Sequence, residues 1–231
     1  MSSATNLGLV FIELNKAMEN TLSNTEISEI KETIQHFAIA AAAAGALSGM
    51  VPGVASVVAV VTQTGLVWAT YVKINKTLGI SMKENTAKFI GSAILTNLMA
   101  NAGTYILAIV ATAILSFIPI FGQLADAAIF GVLGYVVIYV AALLYLKLIT
   151  RWVKPDRTLN IDESDETKAV IADMVKGADL KDMIKEGRSS YKQAKADGLI
   201  DEAIKNPTCP NCGVKVEKDQ AFCSSCGFKL K

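Results

Sequence analysis

Hydrophobic positions recur at helical spacing from the start of the chain. Val10, Phe11, Leu14, Ala17 and Met18 predict a short amphipathic helix within residues 1–24. Ser23 with Glu26 three residues on has the form of a capping box, in which each side chain satisfies an early backbone N–H. The helix starting there carries Ile27, Ile30, Ile34 and Phe37 on one face and runs into an alanine-rich stretch, Ala38 to Ala44. From this point the amphipathic pattern gives way to a uniformly apolar one. No Asp, Glu, Lys or Arg occurs from Thr33 to Val72, or from Phe89 to Ala125. Asp126 interrupts once, and Ala127 to Leu146 is again charge-free. Apolar runs of about 18 residues or more are the usual threshold for a membrane-spanning helix. The competing reading is a soluble helical bundle with an unusually apolar core.

The breaks in this block are marked by proline and glycine. Pro52 has no backbone N–H to donate, and Gly53 follows it, so a helix break is predicted at 49–53. Pro119 and Gly122 predict a second break near 119–126. Between them, Gly79 reads as a helix stop and Ser81 as the next N-cap, with Glu84 three residues on. The long run Phe89–Ile118 reads either as one kinked helix or as two shorter ones. The block from 25 to 154 therefore reads as two apolar hairpins with similar tips, and the fold class as all-α: a membrane-embedded helical bundle with two to four crossings.

Charge adds an orientation. Lys73, Lys76, Lys83 and Lys88 lie between the hairpins, Lys147, Arg151, Lys154 and Arg157 follow the second, and the tips carry none. The positive-inside rule then puts the basic ends and both termini in the cytoplasm, with the tips pointing away into an inner membrane. Trp68, Tyr71, Tyr145 and Trp152 suit either an interfacial aromatic belt or ordinary helix packing. Composition agrees with the apolar reading, at 52% hydrophobic and 19% charged residues with mean hydropathy +0.40. Net charge is +1, which gives no nucleic-acid signal. The N-terminus lacks the basic start and unbroken apolar core of a secretory signal.

Within the apolar block, Ala41, Gly45 and Gly49 lie one helical turn apart. Such small-residue faces permit close helix approach in lipid, and this one is expected to pack on a neighbouring helix, within the chain or in a homo-oligomer. Gln63, Asn97, Asn101 and Asp126 are the polar residues in or beside the block. Asn97 and Asn101 share a helical face. Interhelical hydrogen bonding and a conduction path are the two roles open to them.

From 155 to 207 the composition turns polar, with 12 acidic and 9 basic residues, so any helix there has a solvated face. Val170, Ile171, Met174 and Val175 form one narrow apolar stripe; Leu180, Met183 and Ile184 form another, after Asp179 as N-cap. This reads as a charged helical linker that either docks on the membrane face or a partner, or acts as a spacer.

The last segment, 208–231, carries the one strong chemical motif. Cys209 and Cys212 form a C-x-x-C pair, and Cys223 and Cys226 a second. Four thiolates close a tetrahedral site around Zn²⁺; two disulfides or a rubredoxin-like iron site are the alternatives. A segment this short cannot build much of a core, so a metal would supply much of its folding free energy. With every cysteine in one motif, a reducing compartment is favoured. The paired turns resemble the short zinc ribbons at the ends of many bacterial and archaeal proteins, which implies a structural Zn²⁺ rather than a catalytic one. Lys215, Lys218, Lys229 and Lys231 offer only a thin basic surface, so a protein partner is expected and nucleic acid is not.

AAAAGALSGMVPG, then YVKINKTLGIS, then FIPIFGQ before a final apolar helix, together resemble a glycine-rich hydrophobic domain of unknown function. That domain lies behind the GTPase domain of some bacterial Era-like GTPases and occurs in related inner-membrane proteins. The resemblance covers roughly residues 36–150 and implies membrane association and helical structure, without an activity. No G-x-x-x-x-G-K-[ST] loop is present, so nucleotide hydrolysis is not carried over. With one histidine and no G-x-S-x-G elbow, no enzyme is predicted. The leading expectation is a membrane protein whose cytoplasmic ribbon contacts a partner. A soluble or conditionally inserting bundle, or a small oligomeric channel or transporter subunit, are the alternatives.

Overall fold

The computed structural model describes residues 6–19, 22–49, 55–115, 122–159, 161–209, 212, 214–217 and 220–228. They form eight α-helices: α1 (Asn6–Ala17), α2 (Asn24–Gly49), α3 (Ala55–Leu78), α4 (Glu84–Leu115), α5 (Gly122–Trp152), α6 (Asp165–Gly177), α7 (Leu180–Ala196) and α8 (Leu199–Lys205). Among the described residues there is no strand, only isolated bridges such as Ser81–Thr158 and Val153–Leu159. The capping box forms: Ser23 Oγ accepts from the Glu26 N–H at 3.1 Å, and Glu26 accepts from the Ser23 N–H at 2.8 Å. Pro52, Gly53 and Pro119 lie outside the described residues; the helices flanking them end at Gly49 and Leu115 and resume at Ala55 and Gly122.

α5 is the centre, packed against α1, α2, α3, α4, α6 and α7. Its most intimate neighbour is α2, which runs antiparallel to it. A methyl group at Gly45 would overlap the Phe130 carbonyl oxygen, and one at Gly134 would overlap the Ala41 carbonyl oxygen. Ala41 and Gly45 thus face Phe130, Gly131 and Gly134 of α5, backbone to backbone. Gly49 is the last residue of α2. Farther along α5, α3 runs parallel to it while also packing on α2, and the Tyr71 and Tyr145 rings stack at 3.8 Å and 9°. Tyr71 donates to the Ala141 carbonyl (3.0 Å) and Tyr145 to Asn75 Oδ1 (2.7 Å). Both rings are fully buried, so these tyrosines are core residues and not an interfacial belt. Their hydroxyls need partners once desolvated, and α5 and Asn75 supply them.

The charged segment supplies an outer layer. α6 lies on α4, α7 on α5 and α8 on α2. Ile171, Val175, Met183, Ile184 and Ile200 are buried in the same core as the apolar helices. Glu186 of α7 accepts from the Tyr139 hydroxyl (2.8 Å) and from the N–H groups of Asn6 (2.9 Å) and Leu7 (3.4 Å) at the start of α1. A carboxylate at a helix N-terminus satisfies donors that have no intrahelical partner. Ala128–Trp152 is the one described segment long and apolar enough to cross a membrane, and 83% of its apolar window is buried inside the protein.

Of the two readings of the run from Phe89, one helix forms rather than two, and α4 runs from Glu84 to Leu115. It also begins later than a Ser81 cap would place it, because Ser81 is drawn into its bridge with Thr158. That bridge belongs to a cluster of chain ends. Gly79, at φ +65°, stops α3. Arg157 then donates to the Leu78 carbonyl (2.9 Å) and to Glu26 (3.0 Å), tying the ends of α3 and α5 to the start of α2.

Two predictions follow from these contacts. Gly45→Val and Gly134→Val, which drive side chains into backbone, should cost about 1–3 kcal/mol or more in denaturant unfolding. Gly131→Ala, whose methyl would meet its nearest atom at 3.4 Å, should be near neutral in the same assay. The Ser23 N–H bonded to Glu26, helped by the Arg157 guanidinium, holds the Glu26 carboxyl below its ordinary 4.5. Its contribution is therefore complete above that ordinary value and is lost as pH falls through the lower folded pKa. Unfolding midpoints of the wild type and Glu26→Gln should differ at neutral pH and converge in acid.

Candidate metal centre

The chain leaves α8 at Lys205 and enters two cysteine-bearing turns. In the first, the Cys209 N–H donates to the Val214 carbonyl at 2.7 Å, closing the loop that carries Cys212. In the second, the Cys223 N–H donates to the Phe228 carbonyl at 2.8 Å, and the Gly227 N–H to the Cys223 carbonyl at 2.9 Å. Gly227 sits at φ +71°, a conformation that favours glycine. A bridge between Thr208 and Lys215 pairs the flanks of the first turn.

These turns aim all four sulfurs at one point. The Sγ atoms of Cys209, Cys212, Cys223 and Cys226 lie within 4.8 Å of one another. Cys209 approaches Cys226 at 3.6 Å, and Cys212 approaches Cys223 at 3.6 Å. A disulfide needs about 2.05 Å, and no disulfide joins these cysteines. Four sulfurs at about 2.3 Å from a tetrahedral zinc would stand slightly under 4 Å apart, which matches the observed spacing. The donor set therefore fits Zn²⁺, and the closed set of four protein ligands makes the site structural. Cys209 and Cys223 are buried, whereas Cys212 and Cys226 are exposed.

The zinc-ribbon domain family matches residues 208–230. No curated protein and no solved structure matches the chain. The resemblance of residues 36–150 to the hydrophobic domain linked to Era-like GTPases has no family match to support it.

Asn97 Nδ2 donates to the Ala93 carbonyl at 2.9 Å, and Asn101 Nδ2 to the Asn97 carbonyl at 2.8 Å. Each is spent on its own helix, four residues back. Asn101 is exposed, and neither of these two bonds joins α4 to another helix. Gln63 lies on α3, and Gly122 and Asp126 on α5; their side chains fall outside the description. A residue not singled out from the sequence proves central: Phe228 packs against both the ribbon's small core and the main core. Its place directly after a Cys-Gly turn was the available signal.

Chelation, or the Cys209→Ser/Cys212→Ser variant, should abolish a stoichiometry of one zinc per chain. The far-UV helical signal should fall little, because α1–α8 owe nothing to the ribbon's ligands.

Proposed function

We propose that this is a non-enzymatic membrane-attached protein whose apolar hairpin ends enter the cytoplasmic face of an inner membrane. Its zinc ribbon stays in the cytoplasm and contacts a protein partner. The observation that carries this reading is the polarity of the bundle. The basic chain ends around Glu26, Leu78 and Arg157 cluster at one pole. Away from that pole, residues 33–72 of the α2–α3 hairpin and residues 89–146 of the α4–α5 hairpin carry no Asp, Glu, Lys or Arg except Asp126.

Burial favours partial entry over full crossing. The buried half of α5, with Tyr139 bonded to Glu186, suits a protein interior better than lipid. A hairpin pair that dips in and returns leaves that part of α5 inside the protein.

The burial of α5 also favours a second reading, a water-soluble bundle that inserts only when triggered. One fractionation separates the two. Under the first reading, the protein stays in the pellet after alkaline carbonate washing, and protease added to inside-out vesicles removes the ribbon. Release as a compact, protease-resistant species would overturn constitutive insertion and leave the triggered bundle.

A further inference from the structure

The ribbon is held to the helical bundle at two places. α8, just before it, packs on α2. At its far end, Phe228 reaches α3, where its ring tip stands 3.9 Å from the position a methyl group at Gly65 would occupy. At that distance a methyl at Gly65 would touch the ring without displacing it, so the two positions are immediate neighbours. Phe228 is the one side chain shared by the two hydrophobic clusters among the described residues.

The ribbon's own cluster is small. Its buried members are Cys209, Val216 and Cys223, with Phe228 packed against them. Two of those three are metal ligands, so the cluster cannot persist without the metal that neutralises and gathers the thiolates. The backbone of Phe228 is fixed through the same knuckle, by the hydrogen bond from the Cys223 N–H to its carbonyl. Ligation at Cys223 and Cys226 and the placement of Phe228 are thus one structural event.

We propose that the ribbon is a metal-controlled clasp on the α2–α3 hairpin, closed by Phe228 against α3 at Gly65 when the four cysteines are metal-bound and opened when the metal is removed. Opening uncovers the Gly65 face of α3 and frees the chain beyond α8. The clasp rests on contacts within the chain and requires no lipid, so it stands or falls separately from membrane attachment.

The test uses the full chain carrying Phe228→p-benzoylphenylalanine, a photoreactive side chain, in detergent. With one zinc per chain, irradiation should join position 228 to the α3 segment around Gly65. Stripping the zinc with a chelator should abolish that product while the helical signal persists. The same probe combined with Cys209→Ser/Cys212→Ser should give no product either. A crosslink that survives in either metal-free arm would overturn the clasp. So would its absence in protein shown to hold zinc at full stoichiometry.

Discussion

Gly45 and Gly134 allow the backbones of α2 and α5 to meet with no side chain between them. Dispersion falls steeply with separation, so two helices in such contact gain many near-optimal atom pairs. The same closeness leaves no room for adjustment, because the neighbouring atoms are carbonyl groups rather than flexible side chains. This crossing sets the distance of α2 from α5. It also fixes where α1 and α8, which lie on α5 and α2, find their grooves. Farther along α5, the stacked Tyr71 and Tyr145 set the register of α3 through hydroxyls bonded to Ala141 and Asn75.

A helix so surrounded needs an apolar surface on every side, and α5 has one. A helix hydrophobic all round is either a membrane span or the core of a larger protein. The sequence of α5 alone does not distinguish these solvents. Its neighbours add that Glu186 and Ser190 from the charged α7 reach Tyr139 and Tyr135. The charged α7 therefore covers α5 between Gly131 and Tyr139, and α6 and α8 extend this cover over α4 and α2.

What was legible in the sequence was local. The Ser23–Glu26 box, the stop at Gly79, the Asp179 cap and the two C-x-x-C turns each depend on residues a few positions apart, and each forms. What was not legible joins distant residues. The Tyr145–Asn75 and Tyr139–Glu186 pairs are 70 and 47 residues apart, and no periodicity links them. Small residues on α2 announced a close crossing, but α5 could be named as the partner only from three dimensions. Helical spacing shows that Asn97 and Asn101 share a face, but not that each amide donates to a carbonyl four residues back.

The ribbon follows a different physical rule from the bundle it sits on. The bundle holds itself by buried area spread over many helices, so the loss of any one contact is shared. The ribbon has three buried side chains among its described residues, two of them metal ligands, and concentrates its stability in one ligation event. Joining a distributed structure to a concentrated one through a single aromatic ring makes the junction responsive to the metal while the bundle is not. Phe228 lies one residue beyond the Gly227 turn and two beyond the ligand Cys226, so a change at the cysteines has almost no chain in which to dissipate before it reaches α3.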